Sequence, residues 1–193
     1  MEFEDILEKF PKTVKLKDGA ALTVRPLLPT DEKHFHLFFC GVPENERLLF
    51  KHRVTDPGVI REWCQRIDYG KILPLLAVQN DKIIADASLH QQLGGWKRHI
   101  GRISVVVHPE HRGKGIARIL VNELIDIARD AGLEKLEAEF MGEQERALHV
   151  FAELGFAKLL SLPDYLKDMQ ALPHDYVLLG RDILTDEEYT GAN

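Results

Sequence analysis

The most constraining feature of this sequence is an apolar strand that runs through a glycine-rich turn directly into an amphipathic helix. Three consecutive valines, residues 105–107, are followed by the segment HPEHRGKG and then by a helical pattern. Gly113 and Gly115 let the turn direct its main-chain N–H groups into one concavity, because glycine tolerates backbone angles that other residues avoid. The first N–H groups of the helix lack internal acceptors and add the positive end of the helix dipole. The stretch therefore predicts a phosphate or pyrophosphate site at residues 112–117.

The main chain of this turn contributes more to anion binding than its basic side chains do. A hydrogen bond to a charged oxygen contributes about 1.5–3 kcal/mol. The helix dipole contributes about 0.3–1 kcal/mol at an exposed site and up to ~2 kcal/mol when partly buried. Several N–H groups acting together therefore dominate, and we interpret Arg112 and Lys114 as helpers.

Composition sets the background for this site. The chain has 193 residues, of which 45% are hydrophobic and 29% are charged, and this suits one globular domain whose core needs neither disulfides nor metals. Cys40 and Cys64 form no motif, and we expect both to be reduced. The formal net charge of -6 disfavours nucleic-acid binding and is compatible with a cationic acceptor. No signal peptide or membrane-spanning run is evident, so we expect a cytoplasmic protein.

The hydrophobic pattern predicts alternating strands and helices. Strands are predicted at residues 21–26, 73–79, 82–91, 99–107, 135–140, 157–162 and 176–181. Helix signals are an N-cap at Thr30, the pair Asp56-Pro57, the glycine-rich turn with a helix end at Gly132, and residues 144–154. Asn80-Asp81 predicts a hairpin turn. The order of elements favours the α/β (α+β) class, with a mixed sheet and helices on both faces.

Two common phosphate-binding loops fit this turn incompletely. A Walker A loop requires Lys and then Ser or Thr after its second glycine, and here Ile116 follows Gly115. A dinucleotide fingerprint requires a third glycine, and the matching residue is Arg118. Glu137 or Glu139 can supply the acidic ribose ligand of that fingerprint, so an NAD-binding oxidoreductase stays open as an alternative.

Three segments of the chain resemble the GNAT superfamily of N-acetyltransferases. They are Arg112-x-x-Gly115-x-Ala117, which matches the family's motif A (Gln/Arg-x-x-Gly-x-Gly/Ala), the closing-helix ending Leu154-Gly155-Phe156, and the opening strand Val24-Arg25-Pro26 followed by Asp31. Their spacing along the chain is that of the family, and the resemblance covers residues 22–181. We therefore expect one GNAT domain at residues 21–183, an N-terminal extension at 1–20 and a C-terminal tail at 184–193.

The resemblance implies a GNAT-like fold and acetyl-CoA as co-substrate. The fold is a central, mixed, mostly antiparallel twisted sheet of six or seven strands, with helices on both faces, splayed at the strand that ends in Val107, usually at a bulge. The pantetheine arm of the coenzyme is expected in the split, beside the main chain of Val105 and Val107, and the loop amides are expected to hold the pyrophosphate. The implied coenzyme contacts are Val105, Val106, Val107, Arg112, Gly113, Lys114, Gly115, Ile116, Ala117, Gln144 and Phe151.

At two of these positions the chain departs from the family's pattern. Gln144 stands where the family often has Asn, and it keeps the amide on a longer side chain. Phe151 stands where the family often has Tyr, a proposed general acid for the departing thiolate. Since a phenyl ring cannot donate a proton, either water does so or the thiolate leaves unaided, which its modest basicity permits (thiol pKa about 8.5).

The reaction also needs a base, because a lysine-like amine with a pKa of about 10.4 is mostly protonated at pH 7. Some family members use a glutamate on the strand before motif A, and residues 102–105 contain no carboxylate. The candidates are Glu139 on the next strand and Asp86 or His90, which share one face of their strand. We favour Glu139, because its strand borders the split, and a chain of waters is the alternative.

The sequence thus predicts an acetyl-CoA-dependent N-acetyltransferase that transfers an acetyl group to a primary amine, of a small molecule or a protein lysine, by direct attack. A catalytically degenerate acyl-CoA-binding or regulatory domain is the alternative that Phe151 supports. We expect no metal, because His108, His111 and His149 lack the spacing of a ligand set. The expected partner is an amine acceptor, without nucleic acid or membrane, and the expected state is a monomer or a homodimer.

Overall fold

The computed structural model describes residues 7–183 as one sheet flanked by helices. The strands are β1 Lys12–Lys15, β2 Ala21–Pro26, β3 Ile72–Gln79, β4 Lys82–Gln91, β5 Ile100–Val107, β6 Lys135–Met141, β7 Ala157–Lys167 and β8 Pro173–Asp182. The helices are α1 Glu32–Cys40, α2 Glu44–Arg47, α3 Pro57–Gln65, α4 Ile116–Asp130 and α5 Glu145–Glu153. A 3-10 turn at Pro29–Asp31 precedes α1, and another at Pro109–His111 leads into the glycine-rich loop.

Within residues 7–183 the sheet contains eight strands in the order β1-β2-β3-β4-β5-β6-β8-β7. Neighbouring strands are antiparallel except β5 and β6, which are parallel, so the predicted mixed and mostly antiparallel sheet is confirmed. The prediction of six or seven strands is too low, because β1 adds an edge strand from within residues 1–20. The segment KTVK is too short and too polar to give a clear strand signal. The predicted tail at residues 184–193 lies outside the described residues.

Helices cover both faces of the sheet, as predicted, and each face has its own core. The larger core joins α4 and α5 to one face, and the smaller core joins α1 and α3 to the other. Alternation along β4 separates the two faces. Ala85, Ala87 and Leu89 belong to the larger core, whereas Asp86 lies opposite Leu76 of the smaller core in the β3–β4 ladder.

Most local signals in the sequence form the predicted structure, with one exception. Asn80 and Asp81 both have positive φ angles, as a tight hairpin turn requires. Asp56 caps α3 by accepting a hydrogen bond of 2.8 Å from the N–H of Gly58. The predicted N-cap at Thr30 is wrong, because α1 begins at Glu32 after the 3-10 turn. The carboxylate of Asp31 instead accepts bonds from the Arg25 guanidinium at 2.6 and 2.8 Å, and this fixes the entry into the helix.

Helix α4 connects the glycine-rich loop to the larger core. It begins after Gly115, and Gly132 follows its end with a φ of 76°, as predicted for a helix-ending glycine. Its buried stripe consists of Ile116, Leu120, Val121, Leu124, Ile125, Ile127 and Ala128. None of the described helices combines the length and apolarity needed to cross a membrane.

The sheet splits between its two parallel strands. β5 and β6 pair only at Ile100↔Lys135, Gly101↔Leu136 and Arg102↔Glu137. Beyond this point β5 stays paired with β4 as far as Val107, and β6 stays paired with β8 as far as Met141. The predicted splay is therefore confirmed. The β4–β5 register runs without a shift up to Val107, so this side of the split forms without the expected bulge.

We predict that Leu124→Ala lowers the free energy of unfolding by about 2–5 kcal/mol, because it leaves a cavity between α4 and the sheet. Leu124 is 0% exposed, whereas Leu37 on α1 is 58% exposed. The matched control Leu37→Ala should therefore change the free energy by no more than about 0.5 kcal/mol. Urea denaturation of both variants measures the difference, and equal losses would contradict the burial of this face of α4.

Candidate functional site

The glycine-rich loop lies at the end of β5 and presents its main chain to open space. Gly113 and Gly115 have φ angles of 77° and 82°, in the left-handed region that favours glycine. A Cβ atom added to either glycine would meet no other atom within 4 Å. Among the described residues, no hydrogen-bond acceptor is found for the N–H groups of Gly113, Lys114 and Gly115. These groups, with the first N–H groups of α4, fit a diphosphate ligand.

The side chains around this loop differ in what they can offer to a ligand. Ile116 is only 1% exposed and anchors the start of α4 in the core, so only its main chain is available. Ala117 is half-buried behind it. Lys114 forms no ion pair within the described residues, so its ammonium group is available to an anion. The main-chain N–H groups and Lys114 are therefore the groups of the loop that are free to accept an anionic ligand.

Arg112 links the loop to α2 and to the end of β5. Its guanidinium makes two hydrogen bonds to the carboxylate of Glu46 on α2, at 2.8 and 2.6 Å. Its Nε donates to the main-chain oxygen of Val107 at 3.0 Å. The structure thus places Arg112 between the loop, α2 and the end of β5, and the carboxylate of Glu46 already neutralises its charge.

The main chain of β5 faces the split at alternate residues. The N–H of His108 donates to the oxygen of Ile84 on β4. Because neighbouring residues in an antiparallel strand direct their main-chain groups to opposite sides, Val107 and Val105 direct theirs toward the split. The side chains of Val105 and Val107 pack on the larger core and that of Val106 packs on the smaller core. Both faces of this strand are covered, and its free edge is available for a ligand.

The side chains of Gln144 and Phe151, the two positions that depart from the family pattern, both contact other residues of the protein. The Gln144 side-chain oxygen accepts a hydrogen bond of 2.8 Å from the N–H of Met141 at the end of β6. Phe151 is 0% exposed, with its ring centroid 4.9 Å from those of both Phe140 and Phe156 in edge-to-face contacts. Phe151 therefore packs in the core beneath the split and has no exposed surface for a coenzyme.

Glu139 lies on β6 at the border of the split and is held by three donors. Its carboxylate accepts hydrogen bonds from Lys51 at 2.9 Å, Arg102 at 3.4 Å and the Tyr176 hydroxyl at 3.2 Å. Burial acts to raise the pKa of Glu139, but the bond from Lys51 and the charges of Lys51 and Arg102 outweigh it, and the pKa lies below its ordinary value. Glu139 is therefore ionised and partly neutralised by its neighbours.

Asp86 and His90 lie on β4, on the same face as Glu139. Asp86 is buried, and among the described residues its carboxylate has only a long contact with the Ser88 hydroxyl, at 3.4 Å. Burial without a cation raises the pKa of Asp86 to about 7. Burial and the nearby positive charge of Arg102 lower the pKa of His90 to about 4. At neutral pH, His90 is an uncharged ring, and Asp86 is close to half-protonated.

Two serines connect these groups into one polar line. Ser88 and Ser104 lie directly opposite each other in the β4–β5 ladder. Ser88 contacts Asp86, and the His90 ring nitrogen Nε2 lies 3.3 Å from the Ser104 hydroxyl. The line runs from the buried Asp86 to the half-exposed His90, along the face of the sheet that α1 and α3 cover.

Four residues of this site have no signal in the sequence: Glu46, Lys51, Arg102 and Tyr176. Lys51 and Tyr176 lie 88 and 37 positions from Glu139, in a loop after α2 and in β8. Only the sheet order brings them together. Arg102 alternates with Ser104 on β5 and so shares a sheet face with Asp86 and His90, but no motif in the sequence marks it.

The turn before the loop contains a group of potential metal ligands. His108, Glu110 and His111 each place one ligand atom within 4.8 Å of the other two. His149, the third histidine named in the sequence analysis, lies instead on α5 near Glu153. Three ligands on one short turn are one short of a closed structural zinc site.

We predict that Asp86→Asn makes the stability of the protein less dependent on pH. The fold raises the pKa of Asp86 from 3.8 to about 7, so between these values the folded state binds more protons than the unfolded state. The stabilising contribution is fully present at low pH and is lost as the pH rises toward 7. Urea denaturation measures the free energy of unfolding of both proteins. The value for the variant minus the value for the wild type should be larger at about pH 8 than at about pH 5. A gain that does not change with pH would contradict the burial of this carboxyl.

Sequence comparison identifies relatives that are named as acyltransferases. The family described as "Acetyltransferase (GNAT) family" matches residues 29–156. The chain is 33% identical over 95 residues to the L-amino acid N-acyltransferase MnaT of Escherichia coli, a match that covers 47% of this chain and 54% of that protein. It is 36% identical over 62 residues to a streptothricin acetyltransferase of Streptomyces lavendulae, covering 32% of this chain and 33% of that protein. The match thus spans about half or less of these relatives.

Solved structures extend the similarity to almost the whole described fold. The GNAT domain of S. lividans PAT has a TM-score of 0.75 at 19% identity, covering 89% of this chain and 96% of that one. The structure of yncA from Salmonella typhimurium with its cofactor acetyl-CoA has a TM-score of 0.68 at 21% identity, covering 83% and 93%. At these identities the structures show a shared fold. With the family match over more than half of its length, the split sheet and the loop at its edge, the chain belongs to the acetyltransferase (GNAT) family.

Proposed function

We propose that this protein is an acetyl-CoA-dependent N-acetyltransferase that transfers an acetyl group to a primary amine by direct attack. The observation that carries the proposal is the loop at residues 113–115, whose N–H groups have no acceptor among the described residues and lie beside the open edge of β5. Family membership supports the same reaction, as do the names of the two relatives, an N-acyltransferase and an acetyltransferase.

Two parts of the chain bind two parts of the coenzyme in this proposal. We place its diphosphate on the N–H groups of residues 113–117, with Lys114 as the cation. The free main-chain edge at Val105 and Val107 suits the amide groups of the pantetheine arm. Because Arg112 already bonds the oxygen of Val107, the N–H of Val107 is the group we place near the acyl oxygen. Losing one such donor typically raises the barrier by about 2.7–4 kcal/mol.

When bound, acetyl-CoA supplies a thioester whose carbonyl carbon the neutral amine attacks. As the C–N bond forms, the C–S bond breaks and sulfur leaves with the electron pair. The acceptor ammonium loses two protons in all, of which one goes to the leaving thiolate and one to the protein. The remaining chemical task of this chain is therefore to accept one proton.

We place that proton on Asp86, with Ser88 relaying it from the split. A base works best when its pKa is near the operating pH, and the pKa of Asp86 is about 7. Glu139, which the sequence favoured, is a weaker base because Lys51 and Arg102 hold its pKa low. His90 is weaker still, with a pKa of about 4.

A catalytically degenerate acyl-CoA-binding domain is the second candidate. Phe151 favours it, because a phenyl ring at the family's acid position cannot donate a proton. The oxidoreductase alternative has less support, since Arg118 extends from α4 to an ion pair with Glu153 where close helix–strand packing would need glycine. The cytoplasmic location, the division into extension, domain and tail, and the monomeric or homodimeric state stay predictions.

We predict that Gly115→Glu weakens acetyl-CoA binding at least about 100-fold, since it adds a negative charge and disturbs one or two hydrogen bonds to phosphate. Gly19→Glu is a matched control, because Gly19 has the same φ of 82° and equally open surroundings in the β1–β2 turn. Calorimetry should show normal acetyl-CoA binding for the control and no binding of NAD or ATP to the wild type. Wild-type protein that binds NAD more tightly than acetyl-CoA would contradict the proposed function.

We predict that Asp86→Asn lowers kcat by about 10²–10⁴-fold, the usual contribution of a general base. The wild-type rate should fall below pH 7 as Asp86 becomes protonated, and this fall should disappear in the variant. Glu139→Gln should lower the rate less and keep the fall near pH 7. The measurement is thiol release from acetyl-CoA against a panel of amines. A larger loss in Glu139→Gln than in Asp86→Asn would return the role of base to Glu139.

A further inference from the structure

We propose that Ser104 is the residue that contacts the acceptor amine and passes its proton through Ser88 to Asp86. This inference rests on the proposed function and adds a catalytic residue to it, with His90 as the residue that positions the Ser104 hydroxyl. The evidence is the burial of Asp86 and Ser88, the exposure of Ser104 and the register of β4 and β5.

Asp86 and Ser88 need an intermediary, because neither can contact an amine in the split. Asp86 is 8% exposed and Ser88 is 7% exposed. Both lie on β4, whereas the split lies between β5 and β6. A proton that reaches Asp86 from the split therefore has to cross the face of β5.

Ser104 lies on β5 at the point of this crossing. It is directly opposite Ser88 in the β4–β5 ladder, so the two side chains share one face of the sheet. The Cβ atoms of such a pair are about 4.5–5.5 Å apart. Two hydroxyl groups that turn toward each other across this gap come within hydrogen-bond range. Ser104 is thus the β5 residue placed to pass a proton to Ser88.

The exposure of Ser104 shows where the cover of the sheet is open. β5 is the fifth of the eight strands in the described sheet, and residues at the centre of a sheet with two covered faces are normally buried. Ile103 is 2% exposed and Val105 is half-buried, but Ser104 is exposed. An opening on the side of α1 and α3 therefore lies above Ser104, next to the main chain of Val105 at the split. An amine that enters there meets the Ser104 hydroxyl.

The hydrogen-bond donors and acceptors give this line one direction. The Ser88 hydroxyl donates to Asp86 at 3.4 Å, so the Ser88 oxygen is left to accept from Ser104. Burial and the charge of Arg102 lower the pKa of His90 to about 4, so its ring is neutral. Its Nε2 lies 3.3 Å from the Ser104 oxygen. As the tautomer with hydrogen on Nε2, His90 donates to Ser104, whose second lone pair then accepts from the amine.

The proton transfer balances at each atom. The acceptor nitrogen gives a proton to the Ser104 oxygen as the Ser104 hydrogen moves to Ser88 and the Ser88 hydrogen moves to Asp86. Both serines end with the one hydroxyl hydrogen they started with, and Asp86 ends as an uncharged carboxylic acid. The nitrogen keeps the electron pair of the broken N–H bond and uses it to form the C–N bond with the thioester carbon. Asp86 later returns its proton to solvent along the same line.

The surroundings of Asp86 leave it as the group that sets the pH dependence of this line. Burial raises the pKa of Asp86 to about 7, and the contact with Ser88 opposes this only in part. Burial also raises the pKa of Cys64, on α3 in the core of this face, to about 11, so the thiol stays neutral. Within the described residues, no ion pair reaches Asp86 from the other charged or titratable side chains of this face, which include Arg25, Asp31, His90, Arg102, His108, Glu137, Glu139 and Tyr176, with Lys51 above them.

The test measures thiol release from acetyl-CoA with the amine of the panel that reacts fastest. Ser104→Ala should lower kcat at least about tenfold and should leave the Kd for acetyl-CoA unchanged. Its rate should also lose the fall below about pH 7, because the amine is cut off from Asp86. Ser104→Thr restores the hydroxyl and should recover most of the rate. Ser161→Ala, at an exposed serine on the outer strand β7, is the matched control and should behave like the wild type.

Urea denaturation separates a proton relay from a structural role of Ser104. Because Asp86 stays buried in Ser104→Ala, the difference in free energy of unfolding between about pH 5 and about pH 8 should equal that of the wild type. Asp86→Asn should lose both this difference and the fall in rate. The double variant should be no slower than the slower of the two single variants, since residues that act as one unit have non-additive effects on rate.

A pair of variants tests the positioning role of His90. His90→Leu removes the N–H donor and should lower kcat about threefold to tenfold, the usual effect of one hydrogen bond, with KM unchanged. His90→Gln keeps an N–H donor at the end of the side chain and should lower kcat less. Equal losses in the two variants would remove His90 from the line.

Two results for Ser104→Ala would overturn the proposal and leave the acetyltransferase function intact. They are a kcat equal to that of the wild type, and a rate that still falls near pH 7 as the wild-type rate does. A wild-type protein that releases no thiol from acetyl-CoA with any amine of the panel would refute the proposed function itself.

Discussion

The short parallel pairing between β5 and β6 is the constraint on which the rest of this structure depends. After three residue pairs, β5 follows β4 and β6 follows β8, because each strand keeps its full antiparallel partner. The result is an open edge in the middle of a sheet whose two faces are covered. The main-chain groups of Val105 and Val107 are thus available to a ligand. They lie in the middle of the sheet and not on one of its two outer edge strands. The glycine-rich loop and the start of α4 lie at the open end of this split.

The loop and the sheet face beside the split offer different chemical groups. The loop provides main-chain N–H groups, held in position by the Arg112–Glu46 brace and by the buried Ile116. The sheet face that α1 and α3 cover provides carboxylates whose pKa values differ widely. Burial raises the pKa of Asp86 to about 7, whereas neighbouring cations lower the pKa of Glu139 and keep it ionised. In the proposed mechanism, Glu139 holds the positive charges of its neighbours and Asp86 accepts the proton.

The loop could be predicted from sequence because its determinants are local. A valine-rich strand, two glycines and a helix start fall within one short segment, and their backbone requirements are set by residue type alone. The surroundings of Glu139 could not be predicted, because Lys51 and Tyr176 reach it from distant segments through the sheet order. Arg112 was expected beside the phosphates, and its bond to Glu46 depends on how α2 packs. The helix start at Glu32 was missed because Asp31 bonds Arg25 of the preceding strand, which no capping pattern reveals.

The central claim is that the N–H groups at the open end of the split bind the diphosphate of acetyl-CoA. Amide hydrogen exchange, measured with and without acetyl-CoA, tests it at the level of those groups. We expect the coenzyme to slow exchange at Val105, Val107 and residues 113–117, while the β1–β2 turn around Gly19 is unaffected. Binding of acetyl-CoA that leaves exchange at residues 113–117 unchanged would contradict the account.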